Sequence, residues 1–95
     1  MTTAVKAART RRPRPASADH AARNVGERLR VLRTEQGVTL VELAKTSGVD
    51  AATISRIETG KMTGTLESHM RLAAALGSKI TDLYAGIEEA RTREA

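Results

Sequence analysis

The stretch from Thr39 to Gly60, TLVELAKTSGVDAATISRIETG, constrains this chain more than any other. Apolar residues recur where two short helices must touch: Leu40, Leu43 and Ala44 on the first, Val49, Ile54 and Ile57 on the second. Gly48 stands between them, where the chain turns sharply and a residue without Cβ takes positive φ at no steric cost. Ala44 is small where two helices crossing at about 90–120° come closest. Each helix also has its own start signal. Thr39 with Glu42 three residues on is a capping box, and Asp50 is an N-cap for the second helix.

Spacing, small residue, turn and two helix starts agree on a helix-turn-helix, whose second helix is built to lie in the DNA major groove. With GERLRVLRTEQG before it and LESHMRLAAALG after it, the segment resembles the Cro/repressor-type (xenobiotic-response-element) helix-turn-helix regulators of bacteria and phages. The resemblance covers about Ala22 to Tyr84, and ISRIETG is its most specific part. It implies an all-α, compact five-helix, lambda-repressor-like domain that works as a homodimer on a two-fold symmetric operator.

Composition narrows the alternatives. The 95 residues allow one domain with a modest core. There is no Cys, which removes disulfides and thiolate metal sites and suits a reducing cytoplasm. No apolar run approaches the ~20 residues of a membrane span, and no signal-peptide apolar region follows the basic start. The one aromatic residue, Tyr84, argues against a base-stacking platform for single strands. Net charge is +5, but residues 1–20 carry +4 of it through Lys6, Arg9, Arg11, Arg12 and Arg14 against Asp19. The rest is nearly neutral, so DNA affinity depends on where cations sit and on the tail.

Residues 1–18 lack apolar periodicity and hold both prolines, Pro13 and Pro15, which predicts a disordered basic arm. The domain then spans 19–87, with a charged tail at 88–95. Within it the first helix is expected from about His20 to Gln36, stopped by Gly37, with Val25, Leu29 and Leu32 inward. The third helix ends at Thr59–Gly60. Thr65 caps a fourth, Leu66 to Leu76, closed by Gly77, and a short fifth covers about Ile80 to Ala85. Ile80, Leu83, Tyr84 and Ile87 offer more apolar spacing than one short helix can bury on its own core, which makes them the expected dimer surface.

Matched residue by residue, the resemblance assigns base reading to Ala51, Ala52, Thr53 and, one turn later, Arg56. Arg56 can donate two hydrogen bonds to guanine N7 and O6. The two alanines offer only apolar contact, so this helix is a poor direct reader by itself. Backbone contact falls to Thr39, Ser55 and Lys61: Thr39 at a helix N-terminus that attracts anions, Ser55 bonding locally or to phosphate, and Lys61 in the loop that touches the sugar-phosphate chain in this family. Where many relatives follow the cap with a phosphate-anchoring glutamine, this chain has Leu40. The resemblance also pairs Arg33 with Glu58 as a structural ion pair, and gives Arg9, Arg11, Arg12 and Arg14 the role of an arm on phosphates or in a narrow minor groove. His69 departs from it, since a leucine is usual there, on the core face three residues after Leu66. A partly buried neutral histidine with Met70 filling the gap is one reading, and a pH-sensitive element is the other.

No nucleophile-base set, glycine-rich phosphate loop or metal-ligand spacing is present, so no enzyme, cofactor or metal is expected. No small-molecule sensor domain is expected after Ile87, and no membrane role is expected. The chain is read as a double-stranded DNA-binding regulator, a repressor in the bacterial or phage cytoplasm. Two rivals stay open: an antitoxin that binds a toxin and represses its own operon, and a protein-binding adaptor using Ala51 and Ala52 as an apolar surface.

Overall fold

The computed structural model describes the backbone of residues 16–85 and the side chains of residues 24–85. Four helices are α1 (Ala16–Glu35), α2 (Leu40–Ser47), α3 (Ala51–Glu58) and α4 (Leu66–Ala75). A fifth helical stretch, α5, covers 80–85. Arg9, Arg11, Arg12, Arg14, Ile87 and the tail 88–95 lie outside the described residues.

Local signals set the helix ends. Thr39 and Glu42 close the box on α2, with Glu42 N–H donating to Thr39 Oγ1 (3.1 Å) and Thr39 N–H donating to Glu42 Oε1 (2.9 Å). Asp50 caps α3 through Thr53 N–H, and Thr65 with Ser68 builds a second box on α4. The α2–α3 turn runs through Gly48 at φ 76°, the left-handed region that glycine enters without strain. One boundary differs from expectation. α1 starts at Ala16, inside the segment 1–18 expected to lack structure. Four alanines between 16 and 22 favour helix by propensity alone. A start of that kind leaves no apolar periodicity to read.

The core is one cluster: Leu29, Leu43, Val49, Ile54, Ile57, Leu72, Ala73, Leu76 and Leu83, with Leu32, Leu40 and Ala44 against its edge. α1 and α3 approach so closely that a Cβ on Gly26 would meet the Ile57 carbonyl oxygen and lie 2.9 Å from its carbon. Gly26 is therefore a packing glycine inside a helix.

Two expectations fail here. Leu83 is fully buried and cannot serve a dimer surface. The reason is that α5 folds back onto the bundle: Arg28 Nε donates to the Asp82 carbonyl (3.0 Å), and the Tyr84 hydroxyl meets His69. On α4 the buried face runs through His69, Leu72 and Ala73. Leu66 and Met70 lie one step around the helix and are 61% and 55% exposed. Met70 thus fills no gap, because the His69 ring occupies that space itself.

Candidate nucleic-acid interface

α3 turns Ile54 and Ile57 entirely inward, which fixes what its other face presents. Ala52 and Arg56 are exposed, while Ala51, Thr53 and Ser55 are half-buried. Arg56, four residues after Ala52, stands one turn further along the same outward stripe. Thr53 spends its backbone N–H on the Asp50 cap (3.2 Å). Ala51 lines a shallow, open depression with Val41, Lys45 and Asp50. The outward stripe therefore carries one long donor side chain and little else.

Lys61 is tied to this helix by its backbone. At the end of α3, Gly60 takes φ 79°. Its N–H donates to the Ile57 carbonyl (3.1 Å), and Lys61 N–H donates to the Arg56 carbonyl (2.9 Å). These are the paired bonds of a Schellman ending. The exposed lysine thus leaves the chain next to the helix that bears Arg56.

Thr39 is exposed at the start of α2. Its hydroxyl oxygen accepts from Glu42 N–H, so the hydroxyl proton stays free to donate. The box satisfies the Thr39 and Glu42 N–H groups and leaves those of Leu40 and Val41 outside it. It also holds the Glu42 carboxylate at this helix end, a charge that opposes an approaching phosphate. Ser55 contributes its carbonyl to Thr59, whose N–H and hydroxyl both reach it (3.0 Å each).

The orientation of α3 is fixed from behind by a nearly buried ion pair. Arg33 Nε and Nη2 donate to Glu58 Oε2 and Oε1 at 2.7 and 3.0 Å, and Arg33 Nη1 donates to the Val38 carbonyl at 2.8 Å. The side chains keep only 13% and 6% of their surface. The Glu58 carboxylate, bonded to the guanidinium, raises Arg33 above its ordinary value. Together with the Gly26 contact, this clamps α1 along the back of α3.

Several partners escaped the sequence reading. Gln36 Nε2 donates to the Leu76 carbonyl (2.7 Å), tying the end of α1 to the end of α4. His69 bonds on both ring nitrogens, to Tyr84 and to Thr63. Only the odd residue type at 69 pointed there. Among the described residues no cluster of His, Asp and Glu could hold a metal ion, and no helix is long and apolar enough to cross a membrane.

Residues 24–83 match the family model described as a helix-turn-helix domain. The chain is 36% identical over 62 residues to the HTH-type transcriptional regulator DdrOP3 of Deinococcus deserti, covering 65% of this chain and 48% of that protein. It is 61% identical over 36 residues to the HTH-type transcriptional repressor RghR of Bacillus subtilis, covering 38% of this chain and 27% of that one. It thus spans about half or less of these relatives' lengths. Among solved structures, the restriction-modification controller protein C.AhdI of Aeromonas hydrophila superimposes with a TM-score of 0.64 at 33% identity, over 66% of this chain and 96% of that one. The clp gene regulator ClgR of Corynebacterium glutamicum gives 0.70 at 28% identity, over 78% and 79%. The chain belongs to the helix-turn-helix family, and its all-α fold is that of the family's transcriptional regulators.

Proposed function

We propose that this chain is a sequence-specific double-stranded DNA-binding regulator, a repressor, that acts as a homodimer on a two-fold symmetric operator in the bacterial cytoplasm. One observation carries it: a helix with its inner face buried at Ile54 and Ile57 presents Arg56 outward, with exposed Lys61 held against its last turn. Arg56 reads guanine, Ala52 and Ala51 meet thymine methyl groups, and Thr53 bonds a base or a phosphate. Lys61, Ser55 and the start of α2 at Thr39 take the sugar-phosphate chain. The arm with Arg9, Arg11, Arg12 and Arg14 adds phosphate or minor-groove contact. The name of RghR, a repressor, supports that direction of control.

The second copy needs a surface other than Leu83. Ile80 and Tyr84 are half-buried. Larger apolar area is open at Met62, Leu66 and Met70, 37%, 61% and 55% exposed, on the α3–α4 loop and the first turns of α4. Beside that stripe lie Glu67 and Arg71, paired at 2.8 Å along the helix. An antiparallel copy of α4 sets Glu67 opposite Arg71 of the second copy and the reverse, so the face is complementary to itself. Three side chains make a small patch, so this dimer is weak off DNA and forms on it.

Selection from random duplex DNA followed by a gel shift tests the reading. Arg56→Ala should weaken binding to the selected site by about 1–3 kcal/mol and relax preference at one base pair per half-site. Equal affinity of variant and parent would remove Arg56 from base reading. Failure to enrich any sequence would overturn DNA binding and turn attention to the Val41–Ala51 depression as a protein surface.

A further inference from the structure

His69 is 4% exposed, and both of its ring nitrogens are engaged. Nε2 lies 2.6 Å from the Thr63 carbonyl oxygen and Nδ1 lies 2.8 Å from the Tyr84 hydroxyl. A carbonyl can only accept, so Nε2 carries the hydrogen and donates to Thr63. In the neutral imidazole Nδ1 is then the acceptor, and the Tyr84 O–H donates to it. The Tyr84 ring meets the imidazole edge to face, with centroids 5.6 Å apart, which fixes the ring plane as well.

The acceptor at Thr63 lies in the segment that joins α3 to α4. Lys61, Met62 and Thr63 are all exposed there, bracketed by Gly60 and Gly64 at φ 79° and 85°. One side of the bracket is held by α3, through Lys61 and Met62 N–H groups donating to the Arg56 carbonyl. On the other side a Cβ at Gly64 would stand 2.8 Å from Ile57 Cδ1 and 3.3 Å from His69 Nε2, so the chain lies tight against both. The Thr63 carbonyl between them is held by His69. Leucine, the residue that the resemblance puts here, fills similar space but has nothing to donate.

We propose that His69 is a positioning residue for the α3–α4 loop, holding the stretch with Lys61 in the shape that meets the phosphate backbone, with Tyr84 holding its ring in place. This rests on the DNA-binding reading above. It makes a residue with no access to DNA a determinant of DNA affinity, and it links α5 to the DNA-facing loop through one ring.

The test compares the full chain with His69→Leu, His69→Gln and Tyr84→Phe, on the selected duplex, well below each melting temperature. His69→Leu keeps helical content and binds roughly three- to tenfold more weakly, the effect of removing one or two hydrogen bonds. Its slope of log K against log salt falls by about 0.9, the value for one phosphate no longer neutralised by a cation. Lys61→Ala gives the same fall, and adding it to His69→Leu gives no further one. His69→Gln places an amide donor near the Nε2 position and recovers most of the affinity. In Tyr84→Phe the Nε2–H tautomer, read from long-range imidazole 15N spectra, persists because the Thr63 carbonyl still requires a donor, and affinity falls less than in His69→Leu. Parental affinity and salt slope in a folded His69→Leu, or Gln no better than Leu, would overturn the proposal. If the parent binds no DNA, the functional reading falls by itself. Backbone 15N relaxation of 61–64 then still decides the role of His69: unchanged order in His69→Leu refutes it.

Discussion

Gly26→Ala separates helix propensity from packing by sign. Gly26 lies in the middle of α1, where alanine is ordinarily better by about 0.5–1 kcal/mol. The new methyl, however, meets the Ile57 carbonyl oxygen and stands 2.9 Å from Ile57 C and 3.0 Å from Glu58 Cα. Ordinary carbon contacts lie at about 3.5–4.0 Å. All three neighbours are backbone atoms of α3, so no rotamer change relieves the overlap, and α1 must back away by about an ångström. That retreat loosens Leu29 in the core and stretches the Arg33–Glu58 bonds. Overpacking costs about 1–3 kcal/mol where side chains can adjust, and more where they cannot. Taking the upper end and subtracting the propensity gain leaves a net loss of about 2 kcal/mol or more. For a domain of this size that lowers the melting temperature by roughly 8–16 °C. Thermal melts followed by far-UV circular dichroism, with urea titration for the free energy, measure it. A variant that melts at or above the parent would refute the close approach of α1 and α3.

Arg33→Ala strands the Glu58 carboxylate in a nearly buried place, and urea titration should show a loss of about 2–4 kcal/mol, between the values for exposed and fully buried pairs. Burial pushes the Tyr84 phenol above its ordinary value, near 10. The unfolded chain therefore releases that proton first as pH rises, so the contribution to stability is intact below about pH 9 and lost above about pH 10. Melting temperatures across pH 8–11 should show this alkaline fall, and Tyr84→Phe should flatten it. Glu67→Arg and Arg71→Glu should each reduce cooperative loading of a two-half-site duplex without changing half-site affinity, and the double exchange should restore it. Single exchanges that leave cooperativity intact would move the second copy off α4.

What the sequence made legible was local. The Thr39–Glu42 box, the Asp50 and Thr65 caps and the turn at Gly48 each rest on residues within a few positions of one another, where side-chain chemistry dictates geometry. The inward faces of α1 and α3 followed from helical spacing, and Arg33–Glu58 followed from the resemblance. What stayed hidden depends on how helices cross. Arg28 bonding to the Asp82 carbonyl spans 54 positions, and Gln36 bonding to the Leu76 carbonyl spans 40. Gly26 carries no turn signal because its role is to let another backbone in. Leu83 shows why an apolar residue on a short terminal helix cannot be assigned outward by counting: once α5 folds back, one such residue completes the core. His69 was visible as an oddity, but its partners were not.

The proposed interface carries a consequence for how an operator is recognised. A good bidentate arginine–guanine pair discriminates by about 1–3 kcal/mol, and α3 exposes one arginine beside an exposed alanine and half-buried Ala51 and Thr53. Two copies then supply roughly 2–6 kcal/mol, against the ~4–10 kcal/mol that separates specific from non-specific binding in DNA-binding proteins. Phosphate contacts by Lys61 or the arm raise affinity for every sequence alike and cannot close that gap. Thymine-methyl contacts by Ala51 and Ala52, a Thr53 base contact and any minor-groove reading by the arm supply part of the remainder. The duplex itself supplies the rest, through the energy needed to fit its shape to two recognition helices held at a fixed spacing. That makes the rigidity behind α3 part of the recognition. A helix clamped by Gly26, by Arg33–Glu58 and by the His69-held loop cannot adapt to the wrong duplex, so the duplex must bear the deformation, and its cost depends on sequence.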